Sequence, residues 1–249
     1  MNSRISLKEG ERIDDLQISG LQIIQDPKRF CFGMDAVLLS GFVRCKSGDN
    51  ILDIGTGTGI LPLLLSAKTE AAHITGIEIQ PESAEMAERS VKLNEEILGG
   101  RVSIIQGDIK EAGKFFAPAS FEDIVCNPPY KKAGSGIINE SEANAAARHE
   151  IYCVLDDIAL QSSRLLKDKG KLFMVHRPDR LSEICVTLSK HRLEVKRMRF
   201  VYPFVDREPE MVLIEASRNG REGMKVEKPM ILFESPGVYT EEIKRDYRF

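Results

Sequence analysis

The sequence predicts an α/β fold built on a mostly parallel sheet, and three observations predict it. From residue 50 onward, short apolar runs alternate with helical stretches. A glycine-rich turn, Asp53-Ile-Gly-Thr-Gly-Thr-Gly59, follows the first of those runs. The last two runs, 193–201 and 211–216, are joined without a helix. Strands separated by helices pair in parallel, whereas strands joined by a loop pair antiparallel. The expected architecture is Rossmann-like, with a seven-stranded, mostly parallel sheet and an antiparallel hairpin at its edge.

The elements follow in order. Leu16–Ser19 and Leu21–Gln25 alternate apolar and polar residues around Gly20, the pattern of a short hairpin or of two short strands. Phe32-Gly-Met-Asp35 opens a helix running through Leu39, with Asp35 where the helix dipole favours an anion. Asn50–Ile54 is the first sheet strand. Ile60–Ala67 is a helix that tolerates Pro62 in its first turn. His73–Ile79 is the second strand, and Pro81 starts a helix to about Ile97, closed by Gly99-Gly100. Val102–Gln106 and Phe121–Cys126 are the third and fourth strands. A helix over 151–166 leads through Lys169-Gly170 to the fifth strand, Lys171–His176. Tyr239–Lys244 has the pattern of a short terminal helix. The organisation expected is one domain over 1–249, with an N-terminal extension (1–45), a core (46–216) and a C-terminal tail (217–249).

At 249 residues the chain can bury a large core, and 42% apolar with 29% charged residues is a globular composition. No apolar run reaches the roughly 20 residues needed to span a bilayer, and the first residues carry no signal-peptide pattern. The five cysteines are odd in number, scattered and without a CxxC pair. That excludes a disulfide framework and a zinc site as readings and favours a reduced, cytoplasmic setting. Net charge is −3, so the average surface is not a nucleic-acid footprint. Residues 190–199 nevertheless hold five Lys/Arg against one Glu. That segment is either a local phosphate-binding face or a solvated helix end and edge strand.

In open α/β sheets the ligand lies beyond the carboxyl ends of the strands. Gly55, Gly57 and Gly59 let the backbone approach a ligand closely. A dinucleotide fingerprint needs glycine at position 60, which is Ile60. Glu78 ends the second strand and can accept from ribose hydroxyls, while repelling a nearby phosphate. Asp108 follows the third strand and can accept from an adenine amino group. The bland alternative is three strand-end turn residues. Acids at three successive strand ends favour S-adenosylmethionine, a nucleoside without phosphate.

Asn127-Pro-Pro-Tyr130 follows the fourth strand. Two prolines stiffen the backbone and remove two N–H donors. The Asn127 side-chain oxygen and the Pro128 carbonyl can hold both hydrogens of an exocyclic amine, leaving its lone pair toward a methyl donor. Tyr130 offers a ring on which a flipped base can stack. The bland alternative is a Pro-Pro turn with an incidental tyrosine.

On these residues the chain resembles class I S-adenosylmethionine-dependent methyltransferases of the N6-adenine type, and more closely the bacterial tRNA1(Val) (adenine-37-N6)-methyltransferases. The matching stretches are Gly20–Gln25, Phe30–Leu39, Asp53–Gly59, Gly107-Asp108, Asn127–Tyr130, Ala147–Glu150 and Val175–Arg177. The resemblance implies a tRNA partner, no metal and no membrane, with the monomer favoured. It also implies that Phe32, with Asp35 nearby, backs the methionine part of the cofactor, beside Asp53, Gly55, Gly57, Gly59, Glu78, Asp108 and Asn127. Lys131 and Lys132 are candidates for RNA contact, or they only solubilise a loop. Arg192, Lys196, Arg197 and Arg199 are the further RNA candidates. Rival readings are a protein-glutamine methyltransferase using the same Asn-Pro-Pro-Tyr, an rRNA or DNA adenine methyltransferase, and a non-catalytic binding module. The short, strand-like N-terminus lacks the helical substrate domain of the first, and no target-recognition domain is evident for DNA.

Overall fold

The computed structural model describes residues 5–28, 31–128 and 154–247. Its centre is a sheet in the order β10-β8-β9-β7-β6-β3-β4-β5, with β11 also on β8. The five inner strands are β3 (Asn50–Ile54), β4 (His73–Glu78), β5 (Val102–Gln106), β6 (Phe121–Cys126) and β7 (Leu166–His176), all parallel. β9 (Met211–Arg218) runs antiparallel to both β7 and β8 (Leu193–Tyr202). The seven expected strands are therefore present, with β8 beyond β9. The tail then contributes two further strands, β10 (Lys225–Val226) and β11 (Met230–Ile231), parallel to β8.

Helices cover both faces because the chain reverses direction across the sheet. α1 (Met34–Phe42) and α2 (Ile60–Lys68) pack on one face with Ile51, Val125, Phe173 and Leu213. α3 (Pro81–Leu93) joins β4 to β5 and packs against β5 and the N-terminal hairpin. The other face holds a 3₁₀ segment (Ile109–Lys114), α5 (Leu155–Leu165) and α6 (Leu181–Lys190) over Leu52, Ile124, Leu172 and Ile214. The inner strands carry apolar residues on both faces, as a doubly covered parallel sheet requires.

Several boundaries differ from expectation: β7 begins at Leu166 instead of Lys171, directly after its helix, and three more differ for local reasons. The first strand of the hairpin is β1 (Arg12–Asp15), paired with β2 (Gln22–Gln25), so Leu16–Ser19 form its turn. Gln17 and Ser19 sit at φ 53° and 52°, a left-handed conformation incompatible with a strand. The helix from Pro81 stops at Leu93, and a short α4 (Glu95–Leu98) follows. Asn94 makes that break: its side chain exchanges both bonds with the Gln22 backbone, at 2.9 and 2.6 Å. Last, the terminal helix starts at Glu241 rather than Tyr239: α7 (Glu241–Tyr247) packs on α1, with Ile243 fully buried.

The basic segment 192–199 is where the structure corrects the sequence most. Arg197 is 6% exposed. It bonds Glu215 at 2.7 Å and the Phe42 carbonyl at 2.7 Å, and its guanidinium lies 3.6 Å from the Phe42 ring centroid. Glu227 stands 3.5 Å away as a second counter-ion. Arg199 bonds the Lys228 carbonyl and pairs with Glu242 of α7. Lys196 donates to the Arg221 and Gly223 carbonyls. These three cations hold the tail to the sheet, and Arg197, buried and paired, is withdrawn as an RNA contact. Arg192 precedes β8 at the amino ends of the parallel strands. Leu193 pairs with Arg218 and so lies about six residues, roughly 20 Å, below the His176 level.

Removing Arg197 therefore leaves Glu215 buried without its main partner. Arg197→Ala should lower unfolding free energy by about 3–5 kcal/mol in urea titration. A loss below about 1 kcal/mol would show that the buried pair contributes little.

Candidate active site at the carboxyl ends of the strands

The site is built where the sheet changes winding direction, between β3 and β6. The chain leaves β3 toward β4 and β5, and later leaves β6 toward β7. The connections leave that point in opposite directions, the arrangement at which open α/β sheets bind ligands. Asp53 pairs with Gly76 of β4 and Val125 of β6 in one row. Two residues further along both strands, Gly55 and Asn127 continue that register on the α1/α2 face.

The glycine loop is held by Glu78. Its Oε2 accepts from the Gly57 N–H and its Oε1 from the Gln80 N–H, both at 2.9 Å. Gly55 and Thr56 both donate to the Ile77 carbonyl. Gly55, Gly57 and Gly59 have φ of 72°, 58° and 88°, and a Cβ on either of the first two would meet nothing within 4 Å. Here glycine is required by backbone conformation and leaves open space above the loop. At Gly59, the N-cap of α2, an added Cβ would also come within 3.2 Å of Ala87.

Asp53 is fully buried, and neither carboxylate oxygen makes a hydrogen bond among the described residues. Burial pushes its pKa up to about 7; the neighbouring Thr56 hydroxyl opposes this, and the Glu78 charge reinforces it. The buried Thr56 hydroxyl makes no hydrogen bond among the described residues and lies over Gly76, where a Cβ would be 2.7 Å from its Oγ1. Sequence reasoning missed Thr56, although it lies inside the glycine motif.

Asp108 caps the 3₁₀ segment by accepting from the Lys110 N–H at 2.8 Å, with Lys110 Nζ 3.6 Å away. Gly107 is bonded to the Glu78 carbonyl and is overlaid by the Phe115 ring. On the opposite side, the Phe32 N–H donates to the buried Gln25 Oε1, which ties the approach to α1 to the hairpin. The Asp35 carboxylate accepts from the Ala36 N–H at the start of α1. Asn127 is partly exposed and Pro128 is buried. Pro129, Tyr130, Lys131, Lys132, the polar stretch 134–144 and Arg148-His149-Glu150 lie outside the described residues, as does the start of the helix expected from 151.

The described residues fit S-adenosylmethionine. Asp53 is an unpartnered buried carboxylate suited to a cationic group. Glu78 retains lone pairs on both oxygens after its two backbone bonds, suited to hydroxyls. Both acids at the head of α2 disfavour a phosphate there. Among the described residues, no group of three or more His, Cys, Asp or Glu could hold a metal ion. None of their helices is long and apolar enough to cross a membrane.

A glycine loop at the winding switch of a parallel sheet, with an Asn-Pro turn after the adjoining strand, is an arrangement that suits a methyltransferase. The chain belongs to the methyltransferase small domain family, whose model matches residues 32–197. Among curated relatives, the tRNA1(Val) (adenine(37)-N6)-methyltransferase of Porphyromonas gingivalis is 31% identical over 189 residues, covering 74% of this chain and 72% of its own. Proteins of the same name from a Flavobacteriaceae bacterium and from Haemophilus influenzae are 27% and 26% identical, covering 88% and 90% of this chain and 90% and 94% of their own. The fold matches that of a protein from Agrobacterium tumefaciens described as a predicted O-methyltransferase (TM-score 0.72, 21% identity, 86% of this chain, 96% of that one). It also matches TYW2 of P. horikoshii, solved with MeSAdo (TM-score 0.58, 13% identity, 86% and 74%).

The raised pKa of Asp53 has a thermodynamic consequence. The folded chain holds a proton that the unfolded chain has released by about pH 5. Stability from Asp53 is thus complete near pH 3 and is lost as pH climbs to about 7. Asp53→Asn cannot ionise, so its melting temperature relative to wild type should rise between pH 5 and 8. The differential is about 4 kcal/mol at most. A flat difference across that range would mean that Asp53 ionises in the folded protein as easily as in the unfolded one.

Proposed function

We propose that this chain transfers the methyl group of S-adenosylmethionine to the exocyclic N6 of an adenine in tRNA. The particular substrate proposed is adenine 37 in the anticodon loop of tRNA1(Val), as in the names of its relatives. The observation that supports the reading is the β3–β6 pairing, whose last row sets Ile54 opposite Cys126, so that the glycine loop and Asn127 each follow directly after paired residues.

S-adenosylmethionine supplies a methyl group on a sulfonium, already a good leaving group. Glu78 accepts from the ribose hydroxyls, Asp108 from the adenine amino group, and Asp53 faces the ammonium of the methionine part. Phe32 and Asp35 close that end. The Asn127 side-chain oxygen and the Pro128 carbonyl accept the two hydrogens of the target amine and draw its nitrogen toward tetrahedral geometry. Its lone pair then points at the methyl carbon. Positioning and complementary dipoles do this without a strong general base. Pro129 stiffens the turn, Tyr130 stacks on the extruded base, and Lys131 and Lys132 meet flanking phosphates. An anticodon-loop adenine is already unpaired, so extruding it costs less than opening a duplex. A cytoplasmic setting suits such a substrate.

The two ends of the site separate by mutation. Glu78→Ala should weaken S-adenosylhomocysteine by about 1.5–3 kcal/mol in calorimetry, because charge-assisted bonds are lost. Asn127→Ala should abolish methylation with cofactor affinity near wild type. Equal cofactor losses in the two variants would contradict the division of roles. For the substrate, label transfer would be measured with unmodified tRNA, duplex DNA and a glutamine-containing release factor offered together. Label is expected on tRNA as N6-methyladenosine; label on glutamine or DNA alone would favour a rival reading.

A further inference from the structure

Gln25, the last residue of β2, carries a buried amide with two fixed partners. It is 2% exposed. Its Nε2 donates to Asp14 Oδ2 at 2.6 Å, and its Oε1 accepts from the Phe32 N–H at 2.9 Å. A carboxylate accepts and a main-chain N–H donates, so the two partners together fix which way the amide points. Asp14 also accepts from the Arg12 guanidinium, which holds that carboxylate in place.

The hairpin that carries Gln25 is itself pinned to α3. Ser90 Oγ accepts from the Ile24 N–H at 3.0 Å, Asn94 exchanges two bonds with the Gln22 backbone, and Arg89 pairs with Glu11. α3 starts at Pro81, directly after Gln80, whose N–H bonds Glu78. A continuous line of bonds and helix thus runs from Glu78 through α3 and the hairpin to Phe32. Phe32 lies at the same end of the sheet as the glycine loop. α1 ends at Phe42, whose ring meets Phe173 of β7 edge-on, and the chain then enters β3 at its amino end, Asn50. The start of α1, with Phe32 two residues before it, is therefore directed toward the carboxyl ends. Phe32 packs against the cluster that includes Ile60 and Leu61, the first turn of α2 after the glycine loop.

We propose that Gln25 is a positioning residue for cofactor binding, holding the Phe32 segment against the amino-acid part of S-adenosylmethionine. The proposal rests on the reading that Phe32 closes the methionine end of the site, and adds what keeps Phe32 there. Glu78 and Gln25 then govern opposite ends of one ligand, the first its ribose and the second its amino acid.

Two ligands separate this role from a general loosening of the fold. S-adenosylhomocysteine has the amino-acid part; methylthioadenosine has the same nucleoside and sulfur without it. Gln25→Leu should weaken S-adenosylhomocysteine about tenfold in calorimetry and leave methylthioadenosine within about threefold of wild type. The KM for S-adenosylmethionine should rise by about the same factor, with kcat at saturating cofactor within about threefold. Gln25→Glu sets a carboxylate against Asp14 and should weaken S-adenosylhomocysteine similarly. Adding Asp14→Asn reverses donor and acceptor across that contact and should restore the affinity, since the introduced carboxylate still accepts from the Phe32 N–H. Amide hydrogen exchange at Phe32 should be slow in wild type and in that double variant, and fast in Gln25→Leu. Equal weakening of both ligands, weakening of neither, or a double variant no better than Gln25→Glu would each overturn the proposal. Phe32→Ala tests the underlying reading and should also weaken S-adenosylhomocysteine alone. If it does and Gln25→Leu does not, only the role of Gln25 fails. If Phe32→Ala leaves both affinities unchanged, the placement of Phe32 fails and the proposal with it.

Discussion

The parallel pairing of β3 with β6 is the constraint on which the rest depends. Among the described residues it is the one strand pairing that joins the half of the sheet wound toward β5 to the half wound toward β7. Because the two strands are in register, the glycine loop after one and the Asn127 turn after the other emerge side by side. A one-residue slip would send Asn127 to the opposite face, since side chains alternate along a strand. The fully buried Ile51, Leu52, Ile124 and Val125 oppose that slip from both faces.

The crevice is assembled against the interests of stability. Asp53 is buried beside Glu78 without a hydrogen bond of its own, and its ionisation is suppressed up to about pH 7. Stability is supplied elsewhere, toward the edge of the sheet beyond β7. There Arg197 links α1, β8, β9 and the tail through Phe42, Glu215 and Glu227. Separating a strained site from a heavily bonded edge lets the first adapt to ligands while the second maintains the fold.

Much of this was legible because buried parallel strands announce themselves. β3, β5 and β6 begin and end at the residues expected, being short apolar runs bounded by turn signals. Pro81 and Ile60 likewise start their helices where expected. The hairpin shifted because positive φ at Gln17 and Ser19 overrides an alternating pattern. The long helix broke because Asn94 serves a distant strand, a tertiary demand with no local signature. Two-residue strands such as β10 and β11 carry no periodicity at all. The basic cluster misled for a similar reason: a charge count shows Arg197 and Arg199 but not Glu215 and Glu242, which arrive from 18 and 43 residues away. The positions of the acids at three strand ends were legible because strand polarity, which the alternation of elements already encodes, fixes where each strand ends.

Nucleoside mass analysis of tRNA, purified from cells with and without this chain, tests the central claim most directly. The account predicts N6-methyladenosine at a single anticodon-loop adenine of one tRNA species, lost with the chain and restored by wild type but not by Asn127→Ala. An N6-methyladenosine content in that tRNA fraction that is the same with and without the chain would contradict it.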